Sequence, residues 1–498
     1  MSPHHRESVP EDKVAAGGLF LSVFPSIMLP MFLAVVDQTI VATALPAIAA
    51  SLGAVERLSW VVVAYLVSIT VAAPVYGQLG DRFGRRRLMF VALPIFIAAS
   101  VFCACAVSIE MLTLGRILQG LGGGGLMTLS QALIGETIPP RDRARYQGYL
   151  AAVAMTSNAF GPVAGGYLTE HLGWQSVFLI NLPVGAIALV LTFRLKVHPR
   201  AREPWRFDVP GLVLFVLFVA PILLALQQGQ RMDTRALPSI LGLLGLSIAS
   251  LAALLFWERR ATSPLLPLAL LRQPAIWRSD ALAACHGATL VALIAFLPIF
   301  MQVVHGTSAA QTGLLMLPLT IGIGIGSMVT GRIVSVTGRT AIFPSYGLIL
   351  VLLNLLFLGL WAPQLGLSVL PWVFLWNGLF MGTVMGVVQV TVQSVSGPRM
   401  LGAAAASVQF SRSIGAALGT AVVAAVLFAV LAATDRETAK LFEIVVQQGP
   451  SVIAKLPAGR QALVQAQIGD AFRAAFLTIA AFSGVGLVLA FSIPLRRI

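Results

Sequence analysis

Gly77-Gln78-Leu79-Gly80-Asp81-Arg82-Phe83-Gly84-Arg85-Arg86-Arg87 is the most charged run in a chain that otherwise avoids charge. Four arginines and one aspartate share a short turn, and apolar segments of membrane length flank it on both sides. Of 498 residues, 58% are hydrophobic and only 10% are charged, whereas soluble domains carry about 25% charged residues. Water is therefore not the main solvent of this chain. Runs of about 20 apolar residues, the length that crosses hydrocarbon, recur along almost the whole sequence. No stretch is polar enough to make a separate soluble domain.

Working outward from the charged turn, the pattern predicts helices at 18–49, 59–79, 88–108, 111–135, 146–169, 175–193, 207–227, 237–257, 279–302, 309–331, 341–361, 369–393, 401–431 and 474–495. That is an all-α integral membrane protein with fourteen spans. The run after the polar amino-terminal stretch is too long for a signal-peptide core, so residues 1–17 are expected to form a cytoplasmic tail. With that end inside, cytoplasmic segments hold 23 of the 33 Lys+Arg, outer segments hold 8, and two lie within helices. The bias places both termini in the cytoplasm of a cell (inner) membrane protein. The net charge of +14 is thus topological, and the argument for a nucleic-acid partner falls away. Cys103, Cys105 and Cys285 all sit in apolar runs, which supports neither a disulfide framework nor a zinc site. No metal or cofactor is expected, and no nucleophile–base set or phosphate loop suggests an enzyme.

The charged turn has a faded echo at Gly331-Arg332-Ile333-Val334-Ser335-Val336-Thr337-Gly338-Arg339. Gly77, Gly84 and Arg85 recur as Gly331, Gly338 and Arg339 at an offset of 254, with Ser335 in place of Asp81. Gly161 and Gly165 recur as Gly415 and Gly419 at the same offset. The chain therefore reads as two six-helix bundles related by pseudo-two-fold symmetry, at 18–198 and 263–498. Two extra, lipid-facing helices lie between them at 199–262, and an outer loop runs over about 432–473. Facing repeats of this kind suggest a secondary transporter with its site at their interface, near the midplane.

The residues now carry a family resemblance. The opening stretch resembles the loop between helices 2 and 3 of the major facilitator superfamily, G-x-L-a-D-r-x-G-r-[RK]-x. "LAVVDQTIVATALPAI" in the first helix resembles the signature of that superfamily's fourteen-helix drug/proton antiporter branch, with Ala42 where the pattern has asparagine. "LGRILQGLGGGG" is similar to its proton-coupling motif, and "GPVAGGYL" to the motif associated with export. The resemblance implies that Asp81 contacts the start of a helix in the other half and pairs with arginine. Gly77, Asp81, Arg82, Gly84, Arg85 and Glu136 would then form a conformational latch, while Arg86 and Arg87 anchor the turn at the cytoplasmic face.

Asp37 is the clearest chemical residue, an acid near the middle of an apolar run, where insertion costs about 2.5–3.5 kcal/mol. Burial disfavours the ionised carboxylate and a nearby cation favours it, so such a group can take up and release a proton. Arg116 is the natural cation to set that balance. A permanently hydrogen-bonded structural acid is the competing reading of Asp37. Gly161, Pro162, Gly165 and Gly166 are expected to pack helices closely, since small residues three or four apart let backbones approach. Gln119, Asn158, Gln389, Gln393, Gln409 and Arg412 are candidates for a substrate cavity. Asp280 is expected to form an interfacial pair with Arg278.

These observations imply proton-coupled efflux of amphipathic or cationic small molecules by alternating access, driven by the proton gradient in place of a cofactor. Expected partners are the small-molecule substrate, protons and the bilayer; a periplasmic adaptor is left open. Two rivals stand beside this reading: an exporter dedicated to one physiological cargo, and a non-transporting sensor or assembly factor on the same fold.

Overall fold

Within hydrocarbon every backbone N–H and C=O must find its partner inside the chain, so a sequence this apolar folds as helices. The computed structural model describes residues 11–53, 57–195, 207–229, 236–266, 268–448, 451–454 and 456–497. The first half comprises α1 (Glu11–Leu52), α2 (Leu58–Phe83), α3 (Arg85–Ala104), α4 (Ile109–Thr137) and α5 (Pro140–Leu172). It closes with two short pieces, α6 (Ser176–Leu179) and α7 (Asn181–Thr192). Between the halves lie α8 (Val209–Gly229) and α9 (Leu237–Glu258). The second half comprises α10 (Leu268–Leu271), α11 (Pro274–Val304), α12 (Ala309–Thr337), α13 (Ile342–Trp361), α14 (Leu370–Ser396) and α15 (Leu401–Thr434). It ends with α16 (Arg436–Gln448), α17 (Ser451–Ala454) and α18 (Ala458–Ser492).

Every segment predicted as a span lies on helix, and eleven helices among the described residues are long and apolar enough to cross a membrane. The three predicted spans outside that set fall out for two reasons. Two of them, α4 and α5, dilute their apolar residues with glycine and polar side chains, and the α6/α7 pair is short and broken at Ile180.

α1 begins at Glu11, within the stretch 1–17 expected as a cytoplasmic tail, and residues 1–10 lie outside the described residues. Within the connection at about 432–473, the stretch Arg436–Gln448, whose sequence has helical periodicity, forms α16, and Ser451–Ala454 forms α17. Phe442 and Val445 of α16 are buried in the same core as Phe472 and Phe476 of α18, so its apolar face has a partner. Arg460 ties the segment to Asp435 and Glu437 at 3.3 and 2.7 Å.

The internal repeat reappears as packing. Gly77 of α2 lies against the Gly402 carbonyl of α15, and its equivalent Gly331 of α12 lies against Ala144 and Arg145 of α5. Gly161 and Gly165 of α5 receive Thr39, Ile40 and Thr43 of α1, while Gly415 and Gly419 of α15 receive Ala284 and Ala288 of α11. The turns that follow α2 and α12 use Gly84 and Gly338 at φ of 95° and 67°, backbone that a β-carbon makes costly. The pairs α2 with α15 and α5 with α12 are thus among those that join the halves. The inserted pair packs on itself, and α8 also meets α2 and α15, with Phe215 and Phe218 against Phe410.

Gly166 departs from its expected packing role: it is exposed, and a β-carbon there would meet nothing within 4 Å. Pro162 is likewise exposed within α5. Overpacking a tight contact costs about 1–3 kcal/mol, whereas Gly→Ala in a helix gains about 0.5–1 kcal/mol. Gly165→Leu should therefore lower the melting temperature of the purified protein in detergent, and Gly166→Ala should leave it equal or higher. A fluorescence-detected melting curve of both variants checks the contrast.

Candidate functional site

Three sites follow from the charges that the helices bring together. The first surrounds Asp37, which is completely buried. Its Oδ2 pairs with Nη1 of Arg116 on α4. Its Oδ1 accepts from Nε2 of Gln119 at 2.8 Å and from Nδ2 of Asn181 at 2.9 Å. Nη1 of Arg116 also donates to Oε1 of Gln119 at 2.6 Å, and its Nε donates to the Val61 carbonyl at 3.3 Å. Ser100 of α3 accepts from Gln119 and Asn181 and donates to the Phe96 carbonyl. The guanidinium also stacks over the Tyr65 ring, 3.9 Å from its centroid, and the Tyr65 hydroxyl donates to the Ala34 carbonyl.

A buried ion pair holds only where further hydrogen bonds saturate both partners, and here α1, α2, α3, α4 and α7 all contribute. Gln119, expected in a substrate cavity, belongs instead to this network: three residues after Arg116, it lies on the same face of α4. Tyr65, Ser100 and Asn181 were not read from the sequence; Asn181 is carried inward by the break before α7. The only signal for them was a polar group in an apolar run.

Removing one partner of a buried pair strands the other and costs roughly 3–5 kcal/mol. Asp37→Ala should therefore lower the melting temperature sharply. The double variant Asp37→Ala/Arg116→Leu should recover most of the loss, which thermal unfolding of the three proteins in one detergent measures.

The second site lies at the arginine-rich end, where α2 meets α15. Oδ1 of Asp81 accepts the Gly402 N–H at 2.8 Å, and Oδ2 accepts the Ala403 N–H at 2.9 Å. These are among the first N–H groups of α15, which have no partner within their helix, and a carboxylate there also meets the positive end of the helix dipole. Arg85 is buried, and it pairs with both Asp81 and Glu136. The contact is one-sided. Ser335, the counterpart of Asp81, donates to the Arg332 carbonyl of its own helix at 3.1 Å. The counterpart of Gly402 is Gly148, which sits well inside α5 rather than at its start. The symmetry-related crossing of α12 and α5 therefore has neither the acid nor the free N–H groups.

Asp81→Asn keeps one acceptor and loses the charge-assisted bonds. Hydrogen bonds to charged groups contribute about 1.5–3 kcal/mol against about 0.5–1.5 for neutral ones. The equilibrium should move roughly tenfold away from the state with these ends together. Double electron–electron resonance between spin labels at the exposed positions 87 and 399 should show a longer-distance population that the parent protein lacks.

The third site is a cleft of about 900 Å³, including the space open to solvent, between the two halves. Asn158, Gln389, Gln409 and Arg412 line it, as the sequence suggested. Gln393 does not; its Nε2 donates to the Gln131 carbonyl at 2.9 Å and ties α14 to α4. Gln38, Gln131, Gln147 and His286 also line the cleft and were not anticipated. Successive residues on a helix point about 100° apart, so Asp37 faces the interior of the first half while Gln38 faces the cleft. Asp280 is not paired with Arg278. It is buried and accepts from the Ser407 hydroxyl at 3.3 Å, while Arg278 donates to the Ser492 carbonyl.

Comparison with known proteins agrees with this architecture. The Major Facilitator Superfamily model matches residues 27–420. An uncharacterized MFS-type transporter of Mycobacterium tuberculosis (strain ATCC 25618 / H37Rv) is 33% identical over 492 residues, covering 96% of this chain and 71% of the relative. The multidrug transporter protein MdtP of Bacillus subtilis (strain 168) is 32% identical over 397 residues, covering 78% and 72%. Among solved structures, the MFS proton:xylose symporter XylE bound to 6-bromo-6-deoxy-D-glucose superimposes with a TM-score of 0.64. It is 13% identical and covers 96% of each chain, a likeness of fold.

Proposed function

Because this chain belongs to the major facilitator superfamily, a family of multi-pass membrane transporters and not of enzymes, we propose that it exports amphipathic small molecules in exchange for protons. It would do so as a fourteen-span member of the drug/proton antiporter branch, with both termini in the cytoplasm of the cell (inner) membrane. The two six-helix units would be residues 18–198 and 263–498, with the pair in 199–262 inserted between them. The observation that carries the reading is Asp37: a fully buried acid, paired with Arg116, on the same helix that presents Gln38 to the cleft.

A proton reaching Asp37 would neutralise the carboxylate and release Arg116 from half of its hold. The network would then favour a different arrangement of α1, α4 and α7. Because α1 lies against α5 through Gly161 and Gly165, and α5 packs on α12 of the second half, a shift of α1 is transmitted across the cleft. Asp81 would stabilise the state with the arginine-rich ends together, so that the proton and the cargo select opposite states. Two multidrug relatives, the transporter protein MdtP and multidrug resistance protein 3 of Bacillus subtilis (strain 168), support export as the direction.

Asp37→Asn is the test, since its amide keeps an acceptor for Arg116 while removing the titratable group. Proteoliposomes bearing a pH gradient and a panel of fluorescent amphipathic compounds should show uphill efflux for the parent. The variant should lose it by at least about tenfold, or about 1.4 kcal/mol of drive, yet retain downhill exchange. Parental uphill rates in the variant would place coupling elsewhere.

A further inference from the structure

Among the described residues that line the cleft, one carries a fixed charge, and that charge is positive. Arg412 of α15 lines it, and among the described residues no carboxylate lines it with Arg412 or pairs with that guanidinium. The other two arginines buried in the bundle have anions: Asp37 for Arg116, and Asp81 with Glu136 for Arg85. A guanidinium keeps its charge in any protein environment, and leaving it unpaired inside a membrane is costly and marks a substrate or ion pathway. His286 of α11 lines the cleft beside it, is buried, and its Nδ1 meets no protein partner among the described residues, so it brings no anion to the guanidinium. Gly287 brings α11 against the main chain of Arg412, which sets the two residues at one level.

The neutral groups point the same way. Nε2 of Gln147 from one half and Nε2 of Gln389 from the other are buried donors without an acceptor. One acceptor, Oε1 of Gln131, is also unmatched, so the balance of free groups favours donors around Arg412. The walls are soft and apolar, with Met31, Met127, Met155, Met381 and Met385. Methionine adapts to varied apolar shapes, and surfaces rich in it accept many ligands.

We propose that the cargo of this cleft is an amphipathic organic anion, a carboxylate or comparable oxyanion on an apolar body, with Arg412 as its countercharge. This rests on the reading that the cleft is the transport site, and it replaces the cationic part of the sequence expectation. A cation would meet Arg412 as a like charge in a region of low dielectric, where repulsion is poorly screened. An anion removes the cost of the unpaired guanidinium and supplies acceptors to Gln147 and Gln389. The apolar body lies among the methionines, which fix the sign of the charge less than the shape.

The test uses the purified full-length protein in detergent and matched probes sharing one aromatic body. The pairs are 2-naphthoate against (2-naphthylmethyl)trimethylammonium and biphenyl-4-carboxylate against its trimethylammonium counterpart, read by calorimetry at pH 7. The parent should bind the carboxylate of each pair at least about tenfold more tightly than the ammonium. Arg412→Gln should erase that preference, and Arg412→Lys should keep most of it. Gln389→Leu, which leaves the charge in place, should weaken the carboxylates by about threefold to tenfold and leave the ammoniums unchanged.

A parental preference for the ammonium members, no binding of either carboxylate, or an intact preference in Arg412→Gln would each overturn the proposal. The empty Arg412→Gln protein should melt no lower than the parent, because an unpaired charge has been removed; a sharp fall would make Arg412 a structural tie and also overturn it. The flux assay remains separate. Carboxylate preference without uphill flux would sink proton-coupled export and leave this assignment standing. Uphill flux of cations alone would do the reverse.

Discussion

An arginine inside a membrane protein cannot shed its charge, so the surrounding helices must supply an anion, a carbonyl or water. Three buried or cleft-facing arginines meet that demand in three ways. Arg116 is held by Asp37, Gln119 and the Val61 carbonyl, with Tyr65 beneath it, entirely within the first half. Arg85 sits between Asp81 and Glu136, and through Asp81 it is tied to the first N–H groups of α15 in the second half. Arg412 lines the cleft with no protein anion among the described residues. One arginine pairs with a fully buried acid, one joins the halves, and one faces the cleft without a protein anion among the described residues.

The arrangement depends on close backbone approach, which glycine provides. α5 can lie on α1 and α15 on α11 because Gly161, Gly165, Gly415 and Gly419 leave no side chain between them. The same holds where α2 crosses α15 at Gly77 and Gly402. Association of helices in lipid gains little from the hydrophobic effect and relies on such packing. The glycines therefore bring Asp81 within reach of the Gly402 and Ala403 N–H groups, and without them the polar contact has no geometry. Symmetric packing and asymmetric chemistry coexist: the glycine pattern repeats across the halves, while Asp37, Arg116, Asp81 and Arg85 hold their ion pairs in the first half alone.

The fold was largely legible because its signals are local. Span-length apolar runs, a basic turn and glycines at one offset are properties of short stretches, and fourteen predicted segments all lie on helix. Within 432–473, the helical period of Arg436–Gln448 was legible in the sequence and forms α16, whereas the burial of Phe442 and Val445 against α18 was not. Asp37 and Arg116 could be singled out because a charge in an apolar run has few explanations.

Polar uncharged residues resisted the same treatment. Gln119, Gln389 and Gln393 look alike in sequence, yet one serves Asp37, one lines the cleft and one binds the Gln131 carbonyl. A helix fixes which residues share a face, but not which neighbour that face meets. The sequence by itself determined the helices, the repeat, the charges placed in apolar runs and the glycines that permit close crossings. Only the tertiary structure decided that Asp37 faces away from the cleft, that Asp280 meets Ser407 rather than Arg278, and that Arg412 has no anion among the described residues. Those facts depend on the relative rotation of helices far apart in the chain, which packing across the two halves sets and no local pattern records.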